Sequence, residues 1–203
     1  MKKESLLIGA FVALALMAFN INKSHIEAYK VDTKLSTLEW YAEKVTGKHN
    51  GTILFSGGDI KNDHGNITGT FEIDMNSIED KDIKQGKGKI KLETHLKSED
   101  FFDAKTFPKS KFVITSVTQV KEIKAGGPNL TIKGLLTIKD KTNEIYFDAL
   151  VKMEQNKITC NGSAVVDRSK YDIKYNSKTF FADIGDKMIN DEFTLEFNVI
   201  AVK

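Results

Sequence analysis

Residues 66–76, Asn-Ile-Thr-Gly-Thr-Phe-Glu-Ile-Asp-Met-Asn, decide the fold. Every second position from Ile67 to Met75 is apolar or glycine, and the positions between are Thr, Glu or Asp. Alternation with a period of two sorts side chains onto the two faces of a pleated strand, whereas an amphipathic helix repeats at about 3.6 residues. The same alternation spreads outward in both directions. Leu38, Trp40 and Ala42 share one face, as do Ile53 and Phe55, and Phe112 and Ile114. It continues along Leu130, Ile132, Gly134, Leu136 and Ile138, then Ile145, Phe147, Ala149 and Val151, and ends in the stretches 158–166 and 193–201. The opposite faces carry Thr, Lys, Glu and Asn, the pattern of antiparallel strands wetted on one side.

Eight or nine such strands fill the chain from Tyr29 onward. Short turn-forming stretches separate them: Gly57-Gly58-Asp59, Asp63-His64-Gly65, Lys139 to Asn143 and Gln155-Asn156-Lys157. A long antiparallel meander either splits into a sandwich or closes into a barrel, and a barrel of about eight strands has an interior filled by side chains or by one small ligand. Gly51, Gly69, Gly134 and Gly162 fall on inward faces, where glycine permits sharp coiling or leaves interior space.

One insertion, from Ile78 to Phe107, departs from this pattern, with helical potential between Lys87 and Lys97 and Ser98 as a candidate N-cap for a second helical turn. Within it Asp100-Phe101-Phe102-Asp103 places two adjacent rings that cannot share a face of a strand or helix. Both rings are covered if the segment plugs the open end of a β-structure, with Pro108 redirecting the chain into the next strand. The lysines of the insertion alternate with Asp80, Asp82 and Glu93, and Gly86-Lys-Gly88 lacks the rest of a phosphate loop, so a solvated helix face is expected there.

The balance of 30 Lys+Arg against 28 Asp+Glu supplies no long-range field for nucleic acid, which is not expected as a partner. Lys2 and Lys3 followed by the apolar run Leu6 to Phe19 form the pattern of a signal peptide over residues 1–19. The run is shorter than the roughly 20 residues of a bilayer span, which leaves a membrane anchor as the lesser alternative to a periplasmic or secreted protein. The domain proper is expected over 28–203. Cys160 is the single cysteine, so no internal disulfide forms, and its alternation with Ile158 reads as a small buried hydrophobe.

His25, His49, His64 and His95 show no metal-ligand spacing, and neither a metal nor a cofactor is expected. His49 near a strand start, His95 beside the plug and Arg168 at the end of the strand 163–166 are candidate contacts for a ligand head group, each with a structural role as the alternative. No nucleophile motif or paired carboxylates mark an active site. An apolar interior with an aromatic plug favours binding over catalysis. The expected apolar lining is Trp40, Phe71, Phe112, Leu136 and Phe147, closed by Phe101 and Phe102.

These segments together resemble the YceI-like family of exported lipid- or polyisoprenoid-binding proteins. The resemblance rests on Tyr29-Lys-Val-Asp32 with Leu38-Glu-Trp40, on His95-Leu-Lys-Ser98 with Asp100-Phe-Phe-Asp103 and Phe107-Pro108, on Ile132 to Ile138, and on Val166-Asp-Arg168 with Tyr171-Asp-Ile173. Lys44-Val-Thr-Gly-Lys-His49 with Asn50-Gly51 is similar to the variant of the Bacteroidetes branch. The resemblance implies an all-β, eight-stranded antiparallel lipocalin-like barrel with one helix-containing insertion, and an elongated cavity for an isoprenoid or acyl chain. It implies no catalytic residue set. A carrier of a long apolar chain is the leading expectation; an enzyme acting on such a lipid inside the barrel, and an interaction module with a filled barrel, are the alternatives.

Overall fold

The computed structural model describes residues 26–183 and 185–203; the segment 1–19, expected to be a signal peptide, and His25 lie outside them. Nine strands follow in chain order: β1 (Glu27–Val31), β2 (Thr37–Lys44), β3 (Gly47–Asp63), β4 (Asn66–Asp80), β5 (Lys109–Gln119), β6 (Leu130–Ile138), β7 (Lys141–Glu154), β8 (Lys157–Asp167) and β9 (Ile189–Val202). Every pairing between them is antiparallel. The ring runs β3–β2–β9–β8–β7–β6–β5–β4 and returns to β3, closing eight strands into a barrel. Closure leaves those strands no free edge. β1 stands apart from this ring and bridges β3 and β9 beyond the end of β2, pairing Tyr29 with Ile60 and Val31 with Ala201.

Alternation governs the interior as expected. Along β4 the buried residues are Gly69, Phe71, Ile73 and Met75, followed after a change of phase by Ile78 and Asp80, and along β6 they are Ile132, Gly134, Leu136 and Ile138. The register shifts that bend β3 against β4 fall between Thr52 and Leu54 and between Phe55 and Gly57. The Gly57-Gly58-Asp59 turn does not form: β3 runs through it for 17 residues, and the glycines serve a bulge. Gly58 has Val31 of β1 and the Thr70 carbonyl against its open side, so a side chain there would collide with both.

The insertion is shorter than expected, because Ile78 to Asp80 still belong to β4. The helix α1 spans Lys87–Lys97. Ser98 ends this helix rather than starting another: its N–H and its hydroxyl both donate to the His95 carbonyl. The Ser98 carbonyl then accepts from Phe101 and Asp103, which coils the chain into a compact turn instead of a second helix. Among the described residues, no helix is long and apolar enough to cross a membrane.

Candidate ligand cavity

Inward residues of all eight ring strands leave two apolar chambers stacked along the barrel. The first is walled by residues such as Phe55, Phe71, Phe112, Phe147, Val151, Cys160, Ala164 and Phe197. The second is walled by Trp40, Ile53, Met75, Ile78, Ile138 and Phe193, together with Leu96, Phe101 and Phe102 of the insertion. Leu38, Ile73, Leu136 and Leu195 contribute to both walls, so four branched side chains from β2, β4, β6 and β9 form a waist between them. The centre of a water molecule can range over about 110 Å³ in the first chamber and about 100 Å³ in the second. One water needs roughly 10–15 Å³ by that measure together with polar partners, which the first chamber's wall does not offer.

Five rings line the first chamber in sequence. Phe55 lies 6.5 Å from Phe71, Phe71 6.2 Å from Phe112, Phe112 5.6 Å from Phe147 and Phe147 5.2 Å from Phe197, centroid to centroid. These spacings belong to tilted and edge-to-face aromatic contacts. Glycines on the strands between them make the belt possible. Phe112 leans over Gly134 of β6, and Phe197 lies over Gly162 of β8, where a β-carbon would stand 2.8 Å from the ring. Trp40 uses Gly51 of β3 in the same way in the second chamber. The interior space opened by inward glycines is thus taken by neighbouring aromatic rings.

Phe101 and Phe102 cover one end of the second chamber. Phe101 is 6% exposed and meets His95 at 5.0 Å, Tyr175 at 5.5 Å and the Arg168 guanidinium carbon at 5.7 Å. Phe102 is half-buried and meets Phe193 of β9 edge-on at 6.3 Å. The two rings touch each other, with centroids 6.2 Å apart, and line the same chamber, because the coiled turn at Ser98 lets neighbours converge where a strand or helix would splay them.

The polar candidates separate. Arg168 does line the second chamber but is 3% exposed and engaged by the chain itself. Its Nε donates to the Asn190 carbonyl, its Nη1 to those of Ile173 and Tyr175, and its Nη2 to that of Ile189, while Asp191 sits 3.2 Å from Nη2. The fork expected for a ligand head group thus fastens the turn that follows β8 to the start of β9. Burial lowers the Arg168 pKa, against the opposing charges of Asp191 and Asp167. His95 lines neither chamber; its ring stands edge-on between Phe101 and Tyr175, 4.4 Å from the latter. His49 also lies outside both and meets Asp82, Nδ1 to Oδ2, at 3.0 Å.

Local spacing gave no sign of two other features. Tyr175, far along the chain in an irregular segment, completes the cage around Phe101. The indole N–H of Trp40, in the wall of the second chamber, is buried with no partner among the described residues. Cys160 faces the first chamber, where burial pushes its thiol up to about 12 and keeps it protonated.

A closed eight-stranded antiparallel barrel with an apolar interior and a helical insertion at one end belongs to the lipocalin-like class. The chain belongs to the YceI-like family: the YceI-like domain model matches residues 29–201. It is 31% identical over 161 residues to a UPF0312 protein of Staphylococcus aureus strain USA300, covering 77% of this chain and 85% of the relative. The corresponding UPF0312 protein of strain MRSA252 is 32% identical over 169 residues, with the same coverage of 77% and 85%. Among solved structures, Burkholderia cenocepacia BcnA superposes with a TM-score of 0.64 at 22% identity, over 85% of this chain and 99% of its own. A polyisoprenoid binding domain from Saccharophagus degradans implicated in plant cell wall breakdown superposes with a TM-score of 0.57 at 12% identity, over 86% and 97%. At these identities the likeness is one of fold.

Proposed function

We propose that this protein is an exported carrier that holds a long apolar chain, polyisoprenoid or fatty-acyl, along the two stacked chambers. The observation that carries this reading is the continuity of their walls through the shared waist of Leu38, Ile73, Leu136 and Leu195. An elongated apolar bore fits a thread-like ligand better than a compact one, and each buried methylene contributes about 0.8 kcal/mol. Several isoprene units would bind without specific polar contacts. The described similarity to a polyisoprenoid binding domain supports the same ligand class. Among the described residues no histidine or carboxylate lines either chamber, which favours carriage over acid–base catalysis. Export rests on Lys2, Lys3 and the run Leu6 to Phe19.

Native mass spectrometry of protein purified from its own cell envelope, followed by organic extraction, tests the ligand. A prenyl or acyl chain released in stoichiometric amount is expected. Protein that emerges ligand-free and retains neither a fluorescent prenyl nor a fluorescent acyl probe would overturn the reading. For export, N-terminal sequencing is expected to find a mature start between about residue 16 and residue 29; intact Met1 on a cytoplasmic pool would refute it.

A further inference from the structure

We propose that His49, Asp80 and Asp82 form a site for a first-row divalent cation of the zinc kind, placed where the plug insertion leaves the barrel. The three side chains come from two stretches, His49 from β3, and Asp80 and Asp82 from the end of β4 and just beyond it. One ligand atom from each lies within 4.8 Å of the others. His49 Nδ1 stands 3.0 Å from Asp82 Oδ2 and 3.9 Å from Asp80 Oδ2. Donor atoms on a tetrahedral zinc with bonds of about 2.0–2.1 Å are roughly 3.3 Å apart, so a small closing movement gathers these three.

The deciding observation is Asp80. Its side chain is 0% exposed, and among the described residues its Oδ2 has no hydrogen-bond partner although it is aimed at His49 and Asp82. The other oxygen is accounted for, since Oδ1 accepts from the Ile83 N–H at 2.7 Å. An unpartnered buried carboxylate oxygen is costly. A cation satisfies it, and so does a proton shared with Asp82. The remaining geometry is already held: Asp82 Oδ1 accepts from the Asn50 N–H at 3.0 Å, and the Asp80 N–H donates to Glu93 at 3.0 Å. Neighbouring positive charge is compensated, because Glu79 pairs with Lys81 at 2.7 Å and with Lys89 at 2.9 Å.

One imidazole and two carboxylates, with coordination positions left for water, suit zinc better than calcium or magnesium, which take oxygen ligands. Binding requires the neutral imidazole with its proton on Nε2, so an imidazolium releases its Nδ1 proton to solvent, whereas a neutral ring protonated on Nδ1 exchanges to the Nε2 tautomer without net release. The bound ion would tie β3 to the base of the segment that carries Phe101 and Phe102. Isolated histidine–carboxylate spacing could not signal it, since His49 and Asp80 are brought together only by the pairing of β3 with β4.

The test is titration of chelator-stripped, untagged protein with zinc chloride against a chromogenic zinc indicator. One equivalent is expected to bind, with affinity at least tenfold weaker in His49→Gln and in Asp82→Asn and unchanged in His64→Gln. His49 and Asp82 are 31% and 33% exposed, and far-UV circular dichroism verifies that the variants fold. Zinc-edge absorption on the parent protein is independent of any substitution: a shell of nitrogen and oxygen near about 2.0–2.1 Å is expected. No stoichiometric uptake, a sulfur shell from Cys160, or equal uptake by both folded variants would overturn the site and leave the shared proton as the explanation.

Discussion

Arg168 shows how one residue can serve the cavity without touching its contents. Its guanidinium holds four backbone carbonyls from two separated segments, and the Phe101 ring rests 5.7 Å from its central carbon. Lysine offers a point charge in place of the planar fork. Arg168→Lys keeps the charge but leaves buried carbonyls unpaired, and is therefore expected to lower stability by about 1–3 kcal/mol for each buried carbonyl so stranded, as read by urea unfolding. A variant within experimental error of the parent would deny the network that role. Asp191 carries a related pH dependence. Burial alone would raise its pKa, but hydrogen bonds from Ser177 and Thr179 and the Arg168 charge outweigh burial and hold it below its ordinary value. A carboxyl whose folded pKa is depressed stabilises the fold above its unfolded pKa and loses that contribution as pH falls through the folded one. Asp191→Asn is expected to flatten the acid limb: between about pH 5 and pH 2 the parent should lose more stability than the variant in urea titrations. The two plug rings also divide at this scale. Phe101, caged on three sides, should cost about 3–5 kcal/mol when changed to Ala. Phe102→Ala should cost less stability and release a fluorescent prenyl probe faster, since that ring is half-buried and supported by Phe193. If Phe102→Ala retains the probe as the parent does, the ring is packing and not closure.

At the scale of the element, neighbouring strands complement each other in size. β5, β7 and β9 contribute the large rings Phe112, Phe147 and Phe197, and β6 and β8 between them contribute Gly134 and Gly162. A β-carbon at Gly134 would meet both the Phe112 ring and the Val113 carbonyl. The ring can rotate away; the carbonyl belongs to the β5–β6 ladder and cannot move without breaking pairing. Gly134→Ala is thus expected to destabilise by about 1–3 kcal/mol through overpacking, measured by urea midpoint. A neutral or stabilising result would mean that the ladder yields at that point. α1 belongs to a different regime. It has no fully buried residue and no side-chain N-cap, and it is held to the barrel by the partly buried Leu96 in the wall of the second chamber, by Lys89 on Glu79 and by Glu93 on the Asp80 amide.

For the whole molecule, the question is whether the stacked chambers hold ligand or are merely imperfect packing. Ala164 of β8 is buried in the wall of the first chamber, so Ala164→Leu adds three methylene-sized groups to open space. Displacing three ligand methylenes forfeits about 2.4 kcal/mol, roughly fifty-fold in affinity. Folding stability is expected to stay within about 1 kcal/mol or rise, because the new side chain fills a void. Probe affinity equal to the parent's would place the ligand elsewhere. This experiment reads the first chamber and the plug variants read the second, so together they ask whether one chain occupies both.

Period-two alternation in stretches such as Ile67 to Met75 determined the strands and their inward faces, since burial on one side of a pleat leaves its mark on every second residue. The helix Lys87–Lys97 and the covered state of Phe101 were equally legible, because adjacent rings cannot both be solvated cheaply. Turn chemistry was less reliable: Gly57-Gly58 looks like a hairpin, yet the demand of barrel closure made it a bulge inside β3. Only the tertiary structure decided which inward glycines were space and which were covered, since Phe112 reaches Gly134 diagonally across a strand pair. Only it showed that the Arg168 fork is engaged by carbonyls, because backbone acceptors leave no trace in side-chain identity. The meeting of His49 with Asp80 and Asp82 depended on it as well: strand register, and not spacing along the chain, sets which distant polar groups become neighbours.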